Sequence, residues 1–239
     1  MRILEGEKVT KHFGGLAALH DVDFGIDEGT IVGLIGPNGA GKTTLFNLVS
    51  GSLPTTAGEI RYKGERITGL NPHQICRKGV ARTFQSAKLF AGLTVFENVL
   101  AAALYGTKRA ISVRDAEREA SELLEFVELS PVKTILAKDL PIASRKRLEV
   151  ARALATQPHL LMFDEVMAGL NPTEVSESME LITRIRKKGI TIFMIEHVMK
   201  AIMSVCDRII VLHHGSKIAE GMPEEIATSR KVVEIYLGE

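Results

Sequence analysis

The sequence contains little cysteine, few aromatic residues and no tryptophan. Its 239 residues include two cysteines, Cys76 and Cys206, and only 5% of them are aromatic. Two cysteines cannot form a disulfide framework, and neither lies near a second cysteine in a metal-binding spacing. We therefore expect a reducing, cytoplasmic setting in which both cysteines act as small buried hydrophobic residues.

An excess of one charge and a long hydrophobic run are also missing. Thirty basic and 29 acidic residues leave a net charge of +1, so no nucleic-acid footprint and no acidic partner is indicated. No run reaches the roughly 18 apolar residues of a membrane span, and the start MRILEGEKVTKHF has no apolar core of signal-peptide length. We expect a chain that does not cross a membrane by itself. The 45% hydrophobic and 25% charged residues are typical of a globular protein.

The stretch from residue 31 to residue 44 reads IVGLIGPNGAGKTT and joins an apolar run to a glycine-rich loop. The run predicts a buried strand, and the loop fits the phosphate-loop pattern GxxxxGK[ST] at every fixed position. Its glycines let successive amides point at phosphate oxygens, and a helix beginning near Lys42 adds the positive end of its dipole. Lys42 can reach the outer phosphates and the Thr43 hydroxyl can ligate magnesium. The predicted nucleotide-binding residues are Gly36, Pro37, Asn38, Gly39, Ala40, Gly41, Lys42, Thr43 and Thr44. The alternative is a glycine-rich turn that binds nothing.

A second apolar run, LLMF, ends in two adjacent carboxylates, Asp164 and Glu165. Adjacent residues of a strand point to opposite sides, so the two acids should have different roles. Asp164 is suited to hold magnesium through its water shell, opposite Thr43, and Glu165 to polarise an attacking water. The alternative is a strand end whose acids only aid solubility.

Two further predicted strands end in polar residues. Gly79–Gln85 ends on the amide of Gln85, and the strand at residues 190–195 is followed by Glu196 and His197. The ends of parallel strands line the ligand crevice of an open α/β sheet. Gln85 is thus placed to touch magnesium or its water, and His197 to sense a γ-phosphate. The alternatives are an ordinary loop residue and a structural histidine.

The remaining pattern predicts short strands near both chain ends and helices between them. Phe13 precedes the turn of the first hairpin, where it either packs the hairpin or offers a platform for a nucleotide base. Thr94 and Glu97 match a capping box at the start of a helix. Other predicted strands are 3–9, 22–26, 59–63, 65–67 and 208–212, and other predicted helices are 45–53, 95–104, 114–127, 174–188 and 223–236.

The order of these elements predicts an α/β fold. We expect a P-loop NTPase core, a mixed sheet flanked by helices, with an N-terminal antiparallel β subdomain and an inserted α-helical subdomain. The predicted division places the first part of the core with the β subdomain at residues 1–92, the helical subdomain at 93–155 and the second part of the core at 156–239.

These residues, in this order and spacing, resemble the ATP-binding cassette ATPases that drive membrane transporters. The resemblance covers nearly the whole chain. It includes the phosphate loop, Gln85 as the Q-loop, LLMFDE as Walker B, Ala168–Asn171 as the D-loop and His197 as the switch histidine. Within that family, the segment Ala81–Leu100, together with MAGLNP, IEHVM and the ending VVEIYLGE, looks most like the cytoplasmic ATPase of branched-chain (hydrophobic) amino acid importers.

The resemblance implies the cofactors, partners and location of the chain. Two such subunits, identical or different, would meet head to tail with two ATP molecules and Mg²⁺ between them. They would pull on two transmembrane permease subunits through a groove near the Q-loop, and indirectly serve an extracytoplasmic substrate-binding protein. The chain would then lie peripherally on the cytoplasmic face of the cell membrane, and no nucleic acid is implied.

The sequence departs from the family in the signature segment, usually LSGGQ, which reads LPIAS at residues 140–144. In family members the Ser hydroxyl and a Gly amide grip the γ-phosphate of ATP held by the opposite subunit. Pro141 removes that hydroxyl, and Ala143 adds a methyl group that costs about 1 kcal/mol if the position needs a positive φ. Ser144, one place on, offers partial compensation, so Ala143 and Ser144 are expected to act on the partner's ATP. Val166 replaces the proline that usually follows the catalytic glutamate.

We expect ATP hydrolysis by in-line attack of water, oriented by Glu165, with Lys42, magnesium and His197 stabilising the transferring phosphoryl group. The altered signature segment leaves open a binding module that closes on ATP but barely hydrolyses it. Soluble cassettes of DNA repair or translation usually carry long coiled-coil, tandem or basic segments, and this sequence has none. A P-loop kinase or GTPase lacks support because no guanine-reading NKxD occurs.

Overall fold

A computed structural model describes residues 1–85, 88–106 and 111–237 of the chain. Ser86 and Ala87, within the family-like segment Ala81–Leu100, lie outside the described residues, as do the last two residues of the ending VVEIYLGE. None of the helices in the described ranges combines the length and the apolar character that a membrane span requires.

Strands and helices alternate along most of the chain. The strands are β1 (Arg2–Phe13), β2 (Leu16–Asp27), β3 (Ile31–Ile35), β4 (Ala57–Tyr62), β5 (Glu65–Arg66), β6 (Val80–Arg82), β7 (Leu160–Asp164), β8 (Thr191–Ile195), β9 (Arg208–His213) and β10 (Ser216–Gly221). The helices are α1 (Lys42–Val49), α2 (Pro72–Arg77), α3 (Val95–Tyr105), α4 (Val113–Phe126), α5 (Ile142–Ala155), α6 (Pro172–Lys187), α7 (Met199–Val205), α8 (Pro223–Thr228) and α9 (Arg230–Leu237).

The strands form two sheets. An antiparallel sheet has the order β2-β1-β4-β5, and a six-stranded sheet has the order β10-β9-β3-β8-β7-β6. In the larger sheet β3 pairs in parallel with β8 and β9, β7 pairs in parallel with β6 and β8, and β10 runs antiparallel to β9. The α/β fold with a mixed sheet and an N-terminal antiparallel sheet is therefore confirmed.

Alternate residues of the parallel strands belong to two separate hydrophobic cores. In β3, Ile31 and Ile35 pack with the helices α3 to α6 on one face, while Val32 and Leu34 pack with α1 and the antiparallel sheet on the other. This alternation follows from the period of two in a strand. The parallel strands are buried on both faces. Polar residues can therefore gather only at the strand ends, and in such sheets ligands bind beside the carboxyl ends.

Helix α3 begins where the sequence predicts. The Thr94 hydroxyl accepts the amide hydrogen of Glu97, and the Glu97 carboxylate accepts that of Thr94 at 2.7 Å, which completes the capping box. The buried residues of α3, α4 and α5 belong to the same core as one face of the sheet. The division into parts at residues 92/93 and 155/156 stays a prediction.

The strands predicted at 3–9 and 22–26 are longer in the structure, as β1 and β2. Three other predicted elements differ for an identifiable reason. The strand predicted to end on Gln85 ends at Arg82, because Phe84 donates its amide hydrogen to the Glu149 carboxylate of α5 instead of continuing the ladder. The helix predicted to reach residue 53 ends at Val49, just before Gly51 at φ +71°. The closing helix predicted at residues 223–236 is two helices, since Ser229 adopts an extended backbone between them.

Candidate functional site

The glycine-rich loop connects β3 to α1, and two of its glycines are required by geometry. Gly36 has φ +152°, and a Cβ there would lie 2.1 Å from the carbonyl oxygen of Leu212. Gly41 has φ +101°, and its Cβ would lie 2.6 Å from the carbonyl oxygen of Ala18. Gly41 is also the N-cap of α1 and has no side chain to cap the first turn. The first amides of α1 therefore keep hydrogen-bonding capacity for an anion.

The other loop residues present a mostly open surface. Asn38, Gly39 and Thr43 are exposed, Pro37 and Thr44 are half-buried, and Ala40 is buried. Gly39 has φ +78° with no atom within 4 Å of the place a Cβ would take. The described geometry thus leaves the outer side of the loop accessible to a phosphate.

Lys42 is the first residue of α1, and it is only 6% exposed. Its ammonium donates hydrogen bonds to the carbonyl oxygens of Gly36 at 2.6 Å and Pro37 at 2.9 Å. Burial lowers the pKa of Lys42, and the carboxylates of Glu165 and Asp164 oppose that shift. The loop lysine and the two acids at the end of β7 therefore share one electrostatic site.

Asp164 is the last residue of β7 and is 2% exposed. One oxygen of its carboxylate, Oδ2, lies 2.6 Å from Nη2 of Arg82. Its backbone amide donates to the Thr83 hydroxyl at 3.2 Å. The carboxylate is thus held at the carboxyl end of the sheet, on the side of Lys42.

Glu165 has a left-handed backbone, with φ +54°, and so does not continue the strand. Its amide donates to the carbonyl oxygen of Ile195 at 2.9 Å. Its carboxylate lies between two side chains, with Oε1 2.9 Å from Nε2 of His197 and Oε2 accepting from Nε2 of Gln85 at 2.8 Å. Gln85, Glu165 and His197 are therefore brought together. The two acids do have different partners, but the reason is this turn of the backbone and not alternation along a strand.

Lys146 and Glu196 belong to the same neighbourhood and were not singled out from the sequence. The Lys146 ammonium donates to the main-chain carbonyl of Glu165 at 2.8 Å, which secures the unusual backbone at that residue. Glu196 is 2% exposed and accepts the amide hydrogen of Met167 at 2.8 Å. Burial raises the pKa of Glu196 to about 7. Only the position of Glu196 at the end of β8 offered a sequence signal.

The structure places the remaining predicted site residues at two surfaces. Phe13, at the end of β1, is 47% exposed, and the Lys11 ammonium lies 5.0 Å from the centre of its ring. Ala143 and Ser144 are half-buried in the first turn of α5, whose N-cap is Pro141. Ala143 has a helical backbone, so the strain expected for a positive φ does not arise.

The available ligand atoms fit a magnesium ion better than a transition metal. Within residues 1–85, 88–106 and 111–237, no cluster of three or more His, Cys, Asp or Glu is placed to hold a metal. The Asp164 carboxylate, the Thr43 hydroxyl and the Gln85 amide offer oxygen atoms, the donors that Mg²⁺ prefers. Magnesium at nucleotide sites typically uses one or two protein carboxylates together with substrate phosphates and water.

Known proteins are similar to this chain in sequence and in fold. The family model described as ABC transporter matches residues 19–168. BraF of Pseudomonas aeruginosa, a high-affinity branched-chain amino acid transport ATP-binding protein, is 43% identical over 99% of this chain and 98% of its own. The ADP conformation of MJ1267, an ATP-binding cassette of an ABC transporter, has a TM-score of 0.91 and 32% identity over 100% of both chains. A dimeric post-hydrolysis structure of the cassette MJ0796, bound to ADP and Pi, has a TM-score of 0.84 and 25% identity over 92% of this chain and 99% of its own. The chain belongs to the ABC transporter family and is one of its ATPases.

Proposed function

We propose that this ATPase is the ATP-hydrolysing subunit of a membrane importer for branched-chain or other hydrophobic amino acids. The observation that carries the ATP site is the phosphate loop around the buried Lys42, whose following helix α1 is joined to Asp164 at the end of β7 by the hydrogen bonds of Arg82. The carboxylates of Asp164 and Glu165 also act electrostatically on Lys42. Similarity to BraF over nearly the whole chain supports the cargo.

Each predicted site residue receives a role from its position. The loop amides and Lys42 bind the phosphates of ATP, and Phe13 stacks on its base. Glu165 orients the attacking water, and its hydrogen bonds with Gln85 and His197 fix the direction of its carboxylate. Asp164, Thr43 and Gln85 would hold Mg²⁺, which when bound neutralises charge on the phosphates.

A head-to-tail dimer would complete the site. The N-terminus of α5, with Ala143 and Ser144, would then face the γ-phosphate held by the partner. Because Ala143 is helical, the first-turn amides of α5 point out of the helix and can supply hydrogen bonds without the missing hydroxyl. The dimeric cassette structure of MJ0796 is consistent with this arrangement.

Phosphate release from ATP by the purified chain tests the proposal. Release should require Mg²⁺ and should rise more steeply than linearly with protein concentration, because hydrolysis needs the dimer. Sedimentation in the same buffer identifies the oligomer. A chain that binds ATP and dimerises but releases no phosphate would favour the binding module suggested by Pro141 and Ala143.

A groove of about 480 Å³ is the surface where we propose that a permease helix docks. Phe84 lines it, next to Gln85, so a helix in the groove would contact the segment that reaches Glu165. Phe90 and Tyr105 also line it and are 51% and 80% exposed. Aromatic side chains of this kind are typical anchors in protein interfaces.

A matched pair of variants tests this groove. Phe90→Glu should abolish co-purification of the chain with its permeases. Val113→Glu should not, because Val113 is 59% exposed on α4 but is not among the residues lining the groove. Equal recovery of permeases with both variants would argue against docking at this surface.

Two observations test the cargo. Genes for two hydrophobic permeases, a second cassette ATPase and a secreted binding protein should lie beside the gene for this chain. Its deletion should lower uptake of labelled leucine and leave uptake of lysine unchanged.

The chain should also fractionate with the membrane as a peripheral protein on the cytoplasmic face, released when the permeases are removed.

A further inference from the structure

Arg82, the last residue of β6, makes a buried ion pair with Asp164. The two side chains are 7% and 3% exposed, and Nη2 of Arg82 lies 2.6 Å from Oδ2 of the carboxylate. The second terminal nitrogen, Nη1, donates to the Asn47 side chain at 2.7 Å and to the Ser50 hydroxyl at 3.1 Å. One guanidinium thus joins the end of β7 to the last turn of α1, the helix that follows the phosphate loop.

The chain segment that begins with Arg82 contacts both acids of the site. Arg82 binds the Asp164 side chain, Thr83 accepts the Asp164 amide hydrogen, and Gln85 donates to the Glu165 carboxylate. The position of the Asp164 carboxylate therefore depends on Arg82 in the way that the position of the Glu165 carboxylate depends on Gln85.

The surroundings of Arg82 strengthen its electrostatic interactions and, in the part of the chain that the structure describes, leave one of its N–H groups without a hydrogen bond. Its guanidinium lies 5.7 Å from the ring centre of Phe46 and 5.3 Å from that of Phe84. Such apolar neighbours reduce screening by water. Among the described residues its Nε has no hydrogen-bond partner. A buried N–H without a partner costs stability, which offsets part of what the other three hydrogen bonds of Arg82 contribute.

Asp164 therefore interacts with two cations: Arg82 contacts its carboxylate directly, and Lys42 interacts with it electrostatically. A cation beside a carboxylate holds it in place and also repels any further cation that the carboxylate could bind. Arg82 contacts Oδ2, so a metal or its water would bind through Oδ1.

We propose that Arg82 is a positioning residue that shares Asp164 with magnesium: it fixes the carboxylate through Oδ2, and its charge lowers the affinity of the site for Mg²⁺. This inference rests on the proposed function, because it needs Asp164 in the magnesium site. It adds a residue outside the phosphate loop and the strand-end acids to the control of that site.

Binding of the non-hydrolysable analogue AMP-PNP, measured by calorimetry across a series of free Mg²⁺ concentrations, separates charge from geometry. Arg82→Gln removes the charge and should lower the half-saturating Mg²⁺ concentration by about tenfold or more. Arg82→Lys keeps the charge and Asn47→Ala removes one anchor without changing charge. Both should stay within about threefold of the unmodified chain. Thermal melts identify which variants are folded.

The outcomes are distinct. A half-saturating Mg²⁺ concentration in Arg82→Gln equal to or above that of the unmodified chain would show a merely structural role. If the half-saturating Mg²⁺ concentration of Arg82→Lys or Asn47→Ala differs by more than about threefold from that of the unmodified chain, the geometry of the guanidinium hydrogen bonds controls the site and its charge does not. This comparison remains decisive if Arg82→Gln does not fold. An unmodified chain that binds no AMP-PNP, or binds it without regard to Mg²⁺, would overturn the proposed nucleotide site and this inference with it.

Discussion

Replacing Glu165 by glutamine tests the proposed chemistry with the least change in shape. The carboxylate lies between Nε2 of His197 at 2.9 Å and Nε2 of Gln85 at 2.8 Å. A glutamine amide fills the same space and can still accept one of these hydrogen bonds through its oxygen. The backbone of residue 165 remains held by Lys146 and Ile195. The substitution therefore removes the negative charge and the basicity, and little else.

The expected loss follows from the role of a general base. Such a group typically contributes about 10²–10⁴-fold, so the barrier to hydrolysis should rise by about 3–5 kcal/mol. ATP binding should be unchanged or tighter. Lys42 keeps Asp164 as its second carboxylate neighbour, and one negative charge is removed from beside the phosphates.

Three measurements decide the outcome for Glu165→Gln: phosphate release, binding of a fluorescent ATP analogue, and thermal unfolding. Glu220→Gln is the matched control, because Glu220 pairs with Arg208 and Lys217 on the β9–β10 edge of the sheet. The control should hydrolyse ATP at the unmodified rate. Turnover of Glu165→Gln within about threefold of the unmodified chain would remove Glu165 from the role of general base.

Three further predictions concern glycine geometry, the signature segment and a buried acid. Gly36→Ala should lower the free energy of unfolding by more than about 3 kcal/mol, because its Cβ would lie 2.1 Å from the Leu212 carbonyl oxygen. Gly39→Ala, with open space around it, should cost only about 1 kcal/mol, and equal losses in denaturant titrations would contradict the steric reasoning. Ala143→Gly should raise phosphate release or tighten the dimer in sedimentation, because the methyl group of Ala143, although unstrained in the helix, stands where the phosphate of the partner's ATP is expected to approach the backbone. No change in either would mean that the methyl group is tolerated. Glu196→Gln should stabilise the fold at pH 8 but not near pH 4.5, because burial raises the pKa of Glu196 from 4.5 to about 7. The folded state binds this proton more tightly than the unfolded chain, so the corresponding stabilisation is complete below pH 4.5 and is lost as the pH rises through about 7. A gain of up to about 3 kcal/mol at pH 8 is expected, and a gain independent of pH would show that Glu196 does not titrate as described.

The parts of the site that depend on neighbouring residues in the sequence were predictable. The strand, loop and helix around Lys42 follow from an apolar run, glycines that permit positive φ, and a helix start at a fixed spacing. The capping box at Thr94 is equally local. Strand β10 was missed because every one of its residues is half-buried, which removes the alternation that marks a strand.

The contacts that complete the site join residues far apart in the chain and give no local signal. Arg82 and Asp164 are 82 positions apart, and Gln85 and Glu165 are 80. The parallel pairing of β6 with β7, with Arg82 beside Met162, brings these segments together. A single sequence can predict that strand ends gather polar residues, but it cannot predict which of those residues pair. For that reason Arg82 and Lys146 emerge only from the structure.

The charged groups of the proposed site already have partners within the chain, so a nucleotide must exchange hydrogen bonds and cannot simply add them. Its net affinity is then the difference between the bonds it forms and those it replaces, which is smaller than a count of contacts suggests. We expect binding to move the groups whose bonds are replaced, above all the Lys42 ammonium and the Gln85 amide. Gln85 directly follows Phe84, which lines the groove, so we expect a movement of Gln85 to alter the surface where we propose that the permease docks.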